Sequence, residues 1–146
     1  MSEEFHPSAR DETFERGLRT RREVLGDEHV DRAIQQTTPF TAAFQDLITR
    51  YAWGSVWARE GLDRRTRSAI TLAVLTALGR EAELAIHVRG ALRNGLGEDE
   101  IGQVLLQTAI YAGVPAANTA FAVARRVLEE NDQPRQPNVD PPSPAT

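Results

Sequence analysis

Cysteine is absent from this 146-residue chain, which excludes disulfide frameworks, thiolate metal sites and redox-active thiols. Lysine is absent as well. All 17 basic residues are arginine, so Schiff-base catalysis is excluded and the cations that remain are those suited to gripping carboxylates through two parallel hydrogen bonds. No apolar run approaches the roughly 20 residues that a bilayer-crossing helix needs, and no membrane partner is expected. The opening stretch MSEEFHPSARDETFERG is acidic and polar, unlike a secretory signal or an Arg-rich transit peptide, and a cytoplasmic location is expected. Glycine-rich phosphate loops and the G-x-S-x-G turn are missing too. The net charge of −4 argues against a nucleic-acid partner while leaving room for a local basic patch.

What is present is helical punctuation. Asp11 stands as a cap before DETFERGLRTRREV, and Gly26 follows its end. The short segment DEHVDRAIQQ comes next. From Phe40 the spacing predicts one helix to about Arg59, with Phe44, Leu47, Ile48 and Tyr51 along one side. Asp63 caps RRTRSAITLAVLTALG, which is apolar nearly all round and belongs at the centre of a bundle or at a subunit interface. Glu81 to Asn94 reads as a helix stopped by Gly95, EIGQVLLQTAIYAG as another, and Pro115 starts the last. No segment alternates with period two between hairpin turns. The fold class expected is therefore all-α, a bundle of about six or seven helices in one domain over residues 1–131. Residues 132–146 hold five of the eight prolines and read as a disordered tail.

Three groups of side chains are candidates for chemistry. The histidines, His6, His29 and His87, include no pair at i, i+3 or i, i+4, so no metal site is expected. His87 lies on a helix one turn after Glu83, a carboxylate placed to hold the ring and favour its charged form, and one turn before the small Gly90 and Ala91. A partly buried structural histidine satisfies the same pattern. Arg64, Arg65 and Arg67 crowd the first turn of the central helix, where backbone N–H groups and guanidinium groups together would seat an anion; a solvated turn or intersubunit ion pairs are the alternative. Arg89 and Arg93 read as an exposed face. Tyr51, Trp53 and Trp57 cluster around Gly54, as core, interface or pocket wall.

RREVLGDEHVDRA, the run from TPFTAAFQDL to GLGEDEI, and YAGVPAANTAFAVAR together make the chain resemble the carboxymuconolactone decarboxylase family over roughly residues 14–128. The resemblance implies an alkylhydroperoxidase D-like helical fold and a homo-oligomer, hexamer or trimer. It also implies cofactor-independent decarboxylation of 4-carboxymuconolactone, a lactone dicarboxylate of protocatechuate breakdown in the β-ketoadipate pathway, to 3-oxoadipate enol-lactone. Against the alkylhydroperoxidase D pattern, the histidine falls on His87 and an arginine on Arg67. The two cysteines fall on Arg80 and Glu83, and the glutamate on Ser68. The peroxidase machinery is thus missing while a histidine-bearing site is kept.

The reaction so implied needs no prosthetic group, because loss of CO2 drives electrons through the ring double bond onto the lactone carbonyl. Arg67 and Arg64 would anchor substrate carboxylates, His87 assisted by Glu83 would stabilise or protonate the dienolate, and Trp53 and Trp57 would wall the site. Three other readings remain: a related family enzyme acting on another acid, a non-catalytic helical oligomerisation module, and a helix-turn-helix regulator. Against the last, the candidate recognition helix begins EAELA and would present acid to phosphates.

Overall fold

The computed structural model describes residues 11–132. His6 and the proline-rich tail lie outside them, except that Asp132 is the last residue of the final helix. Among the described residues there are seven α-helices, one π-helical segment and no strand.

Asp11 accepts a hydrogen bond from the Phe14 N–H at 2.9 Å and starts α1 (Glu12–Leu25). Gly26, at φ +88°, makes the turn into α2 (Asp27–Gln35). The single helix expected over residues 40–59 is instead α3 (Ala42–Ile48) continued by a π-helical stretch, Thr49–Trp57. Asp63 caps α4 (Arg64–Leu78) through the Thr66 N–H at 2.7 Å, and Gly79 ends it in the left-handed conformation. The remaining helices are α5 (Glu81–Arg93), α6 (Glu98–Ala112) and α7 (Val114–Asp132). Gly95, just past α5, has φ +93°.

Two apolar clusters organise these elements. The larger lies among α4, α5, α6 and α7 and buries Leu72, Leu84, Val88, Ala91, Ile101, Leu105 and Val127. The smaller gathers Val24, Leu25, Val30 and Trp53, with Leu18, Trp57 and Ile86 against it. Helix α5 is the wall between them. Its Leu84, Val88 and Ala91 stripe faces the larger cluster, whereas Ile86 and Gly90 face α1, where a Cβ on Gly90 would lie 3.2 Å from the Val24 carbonyl oxygen.

Helix α4 is only one-sided in burial. Ser68, Leu72 and Thr76 face inward, and Ile70, Val74 and Leu78 remain exposed. The stripe of Phe44, Leu47 and Tyr51 is exposed as well.

Candidate functional site

The π-helical segment is what turns the tryptophans inward. Its extra residue per turn appears in the Ala58 N–H donating to the Trp53 carbonyl five residues back, at 3.1 Å. Two glycines let it lie against α1. A Cβ at Gly54 would fall 2.5 Å from the Thr13 carbonyl oxygen, and one at Gly17 would collide with the Thr49 carbonyl. Arg16 Nε donates to the Gly54 carbonyl at 3.0 Å and fastens the crossing. With the backbones this close, Trp53 and Trp57 stack, ring centroids 5.1 Å apart, and Tyr51 is left outside at the surface.

The imidazole of His87 completes the stack. Its centroid lies 6.3 Å from that of Trp53 with planes 8° apart, and 6.1 Å from that of Trp57 with planes 13° apart. The ring is half-buried. Burial pushes its pKa down to about 4, His29 adds to the depression, and the Glu83 carboxylate only partly opposes both. The expected direction is therefore reversed: Glu83 is exposed and too well solvated to outweigh desolvation of the ring. At neutral pH His87 is a neutral imidazole with one N–H to donate.

The arginines expected at the head of α4 are separated by their partners. Arg64 pairs with Glu23 of α1 at 2.5 Å, and Arg65 binds Glu100 and the Gly95 carbonyl. Neither forms an open anion seat. Arg67 donates to the Arg59 carbonyl at 2.9 Å, two residues past Trp57, and its Nε is buried without a partner. Ser68 is buried and accepts from Asn94 Nδ2 at 2.8 Å. Arg89 meets Glu130 at the surface, and the guanidinium of Arg93 rests on Gly26.

Arg21 escaped the sequence reading, and His29 was weighed there only as a metal ligand. Arg21, in α1, is only 7% exposed, and burial lowers its pKa. His29, in α2, is partly buried; burial first, and then Arg21, Arg32, Arg89 and Arg93, lower its proton affinity. Neither has a recognisable spacing. The signal available was only that Arg21 shares a helix face with Leu18 and Leu25.

The chain is thus all-α, with a half-buried imidazole stacked against two indoles. The carboxymuconolactone decarboxylase family model matches residues 42–126. The chain is 45% identical over 120 residues to 4-carboxymuconolactone decarboxylase of Acinetobacter baylyi, covering 82% of this chain and 90% of that protein. It is 42% identical over 117 residues to nitrosuccinic acid decarboxylase of Metarhizium robertsii, covering 80% and 82%. A protein of Pseudomonas putida, also named 4-carboxymuconolactone decarboxylase, is 46% identical over 41 residues, covering 28% of this chain and 85% of that one. The chain belongs to the carboxymuconolactone decarboxylase family.

Proposed function

We propose that this chain is a carboxy-lyase that converts 4-carboxymuconolactone to 3-oxoadipate enol-lactone in protocatechuate catabolism. The reading is carried by its similarity to the Acinetobacter baylyi enzyme over 82% of this chain and 90% of that one. The site supports it chemically. As CO2 leaves, two electrons move through the ring double bond to the lactone carbonyl oxygen, and the neutral His87 donates its N–H to the oxyanion that forms. A bound dianion raises the proton affinity of the ring, which takes up a proton from solvent, delivers it to the carbon beside the carbonyl and returns to neutral imidazole. Trp53 and Trp57 keep water from the departing carboxylate, whose charge is lost in the transition state. Arg67, with its unpartnered Nε beside the turn after Trp57, anchors the substrate, since Arg64 is occupied by Glu23. The electron sink is in the substrate, so no cofactor is required.

The Metarhizium robertsii relative favours a second reading, a substituted succinate of another kind. In nitrosuccinic acid, as in the lactone, one carbon carries both the carboxylate positioned to leave and a methylene-carboxylate arm. Only the sink differs, a nitro group in one and an unsaturated lactone in the other.

The same reading includes a homo-oligomer, trimer or hexamer, in the cytoplasm. Ile70, Val74 and Leu78 form an exposed stripe on α4, and Ile110, Tyr111 and Val114 are exposed where α6 meets α7. An apolar groove between α4 and α6 joins Ile70 and Val74 to Tyr111. Faces of this kind are what subunit association covers. No helix among the described residues is long and apolar enough to cross a membrane.

The test is to mix purified protein with freshly generated 4-carboxymuconolactone, and separately with nitrosuccinate, without added metal or nucleotide, and to follow CO2 release. Rapid release from the lactone is expected. Release from nitrosuccinate alone would select the second reading, and release from neither would overturn both.

A further inference from the structure

Arg21 is the one charged residue among those described that is buried, and it has no carboxylate partner among them. Its neighbour in sequence makes the contrast. Arg22, nearer the surface, pairs with both Asp27 at 3.2 Å and Asp31 at 2.8 Å. Arg21 has one Nη donating to Gln45 Oε1 at 3.2 Å, while its Nε is buried and donates to nothing. A guanidinium withdrawn from water without a counter-ion is unfavourable unless an anion arrives to complete it.

Its position says where that anion would sit. Leu18 and Leu25, three residues before and four after Arg21 on the same face of α1, pack into the cluster that holds Trp53 and Trp57. His29 links the two ends electrostatically, for it feels Arg21 on one side and is felt by His87 on the other. Residue 21 also precedes the span of the family model, which starts at residue 42.

We propose that Arg21, oriented by Gln45, binds the carboxylate that the substrate retains and so selects acids built on a succinate unit. This rests on the decarboxylase reading for the identity of the acid. The choice of carboxylate follows from the chemistry. A cation on the departing group would stabilise the ground state more than the transition state, whereas a cation on the retained arm holds the substrate without opposing the loss of CO2. Both of the named relatives' substrates carry that arm.

Three variants and one probe test it. Gln45→Glu gives Arg21 an internal counter-ion: it should raise the melting temperature of the unliganded protein and raise KM for the lactone at least tenfold, with kcat little changed. Arg21→Met should leave the unliganded protein as stable or more so, and raise KM about a hundredfold. Arg21→Lys keeps the charge without the fork, guards against a folding failure of the Met variant, and should raise KM by an intermediate factor. The probe is the ring-saturated lactone diacid, which has both carboxylates but lacks the double bond. It should raise the melting temperature of the wild type and not that of Arg21→Met.

An unchanged KM in Gln45→Glu and Arg21→Met would overturn the proposal. So would an equal loss, in Arg21→Met, toward the lactone and toward a lactone acid lacking the acetate arm, because that marks a purely structural arginine. If the wild type releases no CO2 yet the probe stabilises it through Arg21, the anchor stands and the decarboxylase reading falls.

Discussion

The rings of Trp57 and His87 lie nearly parallel, 13° apart in plane and 6.1 Å apart in centroid, so one face of the imidazole meets indole rather than water. Desolvation is the first cause of its low proton affinity and outweighs the nearby Glu83 carboxylate. The residue therefore rests neutral, and a dianionic substrate is what would charge it.

That balance is measurable as a titration. The His87 ring protons in an NMR pH series should move with a midpoint near 4, and the Trp53 and Trp57 fluorescence should change over the same range. The fluorescence step should vanish in His87→Ala. A midpoint near 6.5 would mean that the ring is solvated.

The same shift has a consequence for stability. The unfolded chain binds the His87 proton at about 6.5 and the folded chain at about 4, so the unfolded state carries more protons between those values. Stability is then intact above about pH 6.5 and falls as the pH drops toward 4, by up to roughly 3 kcal/mol from this group. His29, shifted the same way, steepens the fall. Urea unfolding at a series of pH values in wild type and His87→Ala checks it, the variant showing the shallower slope.

In the reaction, His87→Ala should lower kcat by about 10²–10⁴, the range for losing an oxyanion donor or general acid. Far-UV circular dichroism and oligomeric state should be unchanged. Normal turnover in a folded variant would take His87 out of the mechanism.

The two candidate arginines of α4 should separate cleanly. Arg64→Ala removes an ion pair whose side chains are 40% and 55% exposed, and should cost less than about 1 kcal/mol with no effect on KM. Arg67→Ala removes the guanidinium with the orphaned Nε and should raise KM tenfold or more. Steady-state kinetics beside thermal melts distinguish them.

Where α1 crosses the π-helical segment there is no room for a methyl group. Gly17→Ala should cost about 3 kcal/mol and weaken the near-UV signal of the stacked indoles, because the added Cβ meets the Thr49 carbonyl. Gly102→Ala, which meets nothing within 4 Å, is the control and should be neutral or better.

Sedimentation tests the exposed α4 face. Val74→Glu puts a charge into the Ile70, Val74 and Leu78 stripe and should reduce the particle mass to that of a smaller assembly. The same mass in variant and wild type would place the interface elsewhere.

Outside residues 40–59, where one helix was expected and a π-helical stretch follows a short α-helix, the helices and their ends were legible in the local sequence. Asp11 and Asp63 are caps because short carboxylates satisfy free N–H groups, and Gly26, Gly79 and Gly95 take positive φ where a helix stops. Those are local effects, complete within one turn of chain. The sequence also singled out His87, Trp53 and Trp57, which the fold brings into one stack. The rest came from contacts between segments distant in the chain. The π-helical register depends on two backbones touching at Gly17 and Gly54, residues 37 positions apart, and nothing in the local pattern carries that contact. The direction of the His87 shift depends on what surrounds the ring, not on the carboxylate one turn away. Arg21 looks like any of 17 arginines until the fold buries it with an amide and no counter-ion among the described residues. Desolvation and counter-ion supply are properties of a volume, and a volume is assembled from segments that the chain keeps far apart.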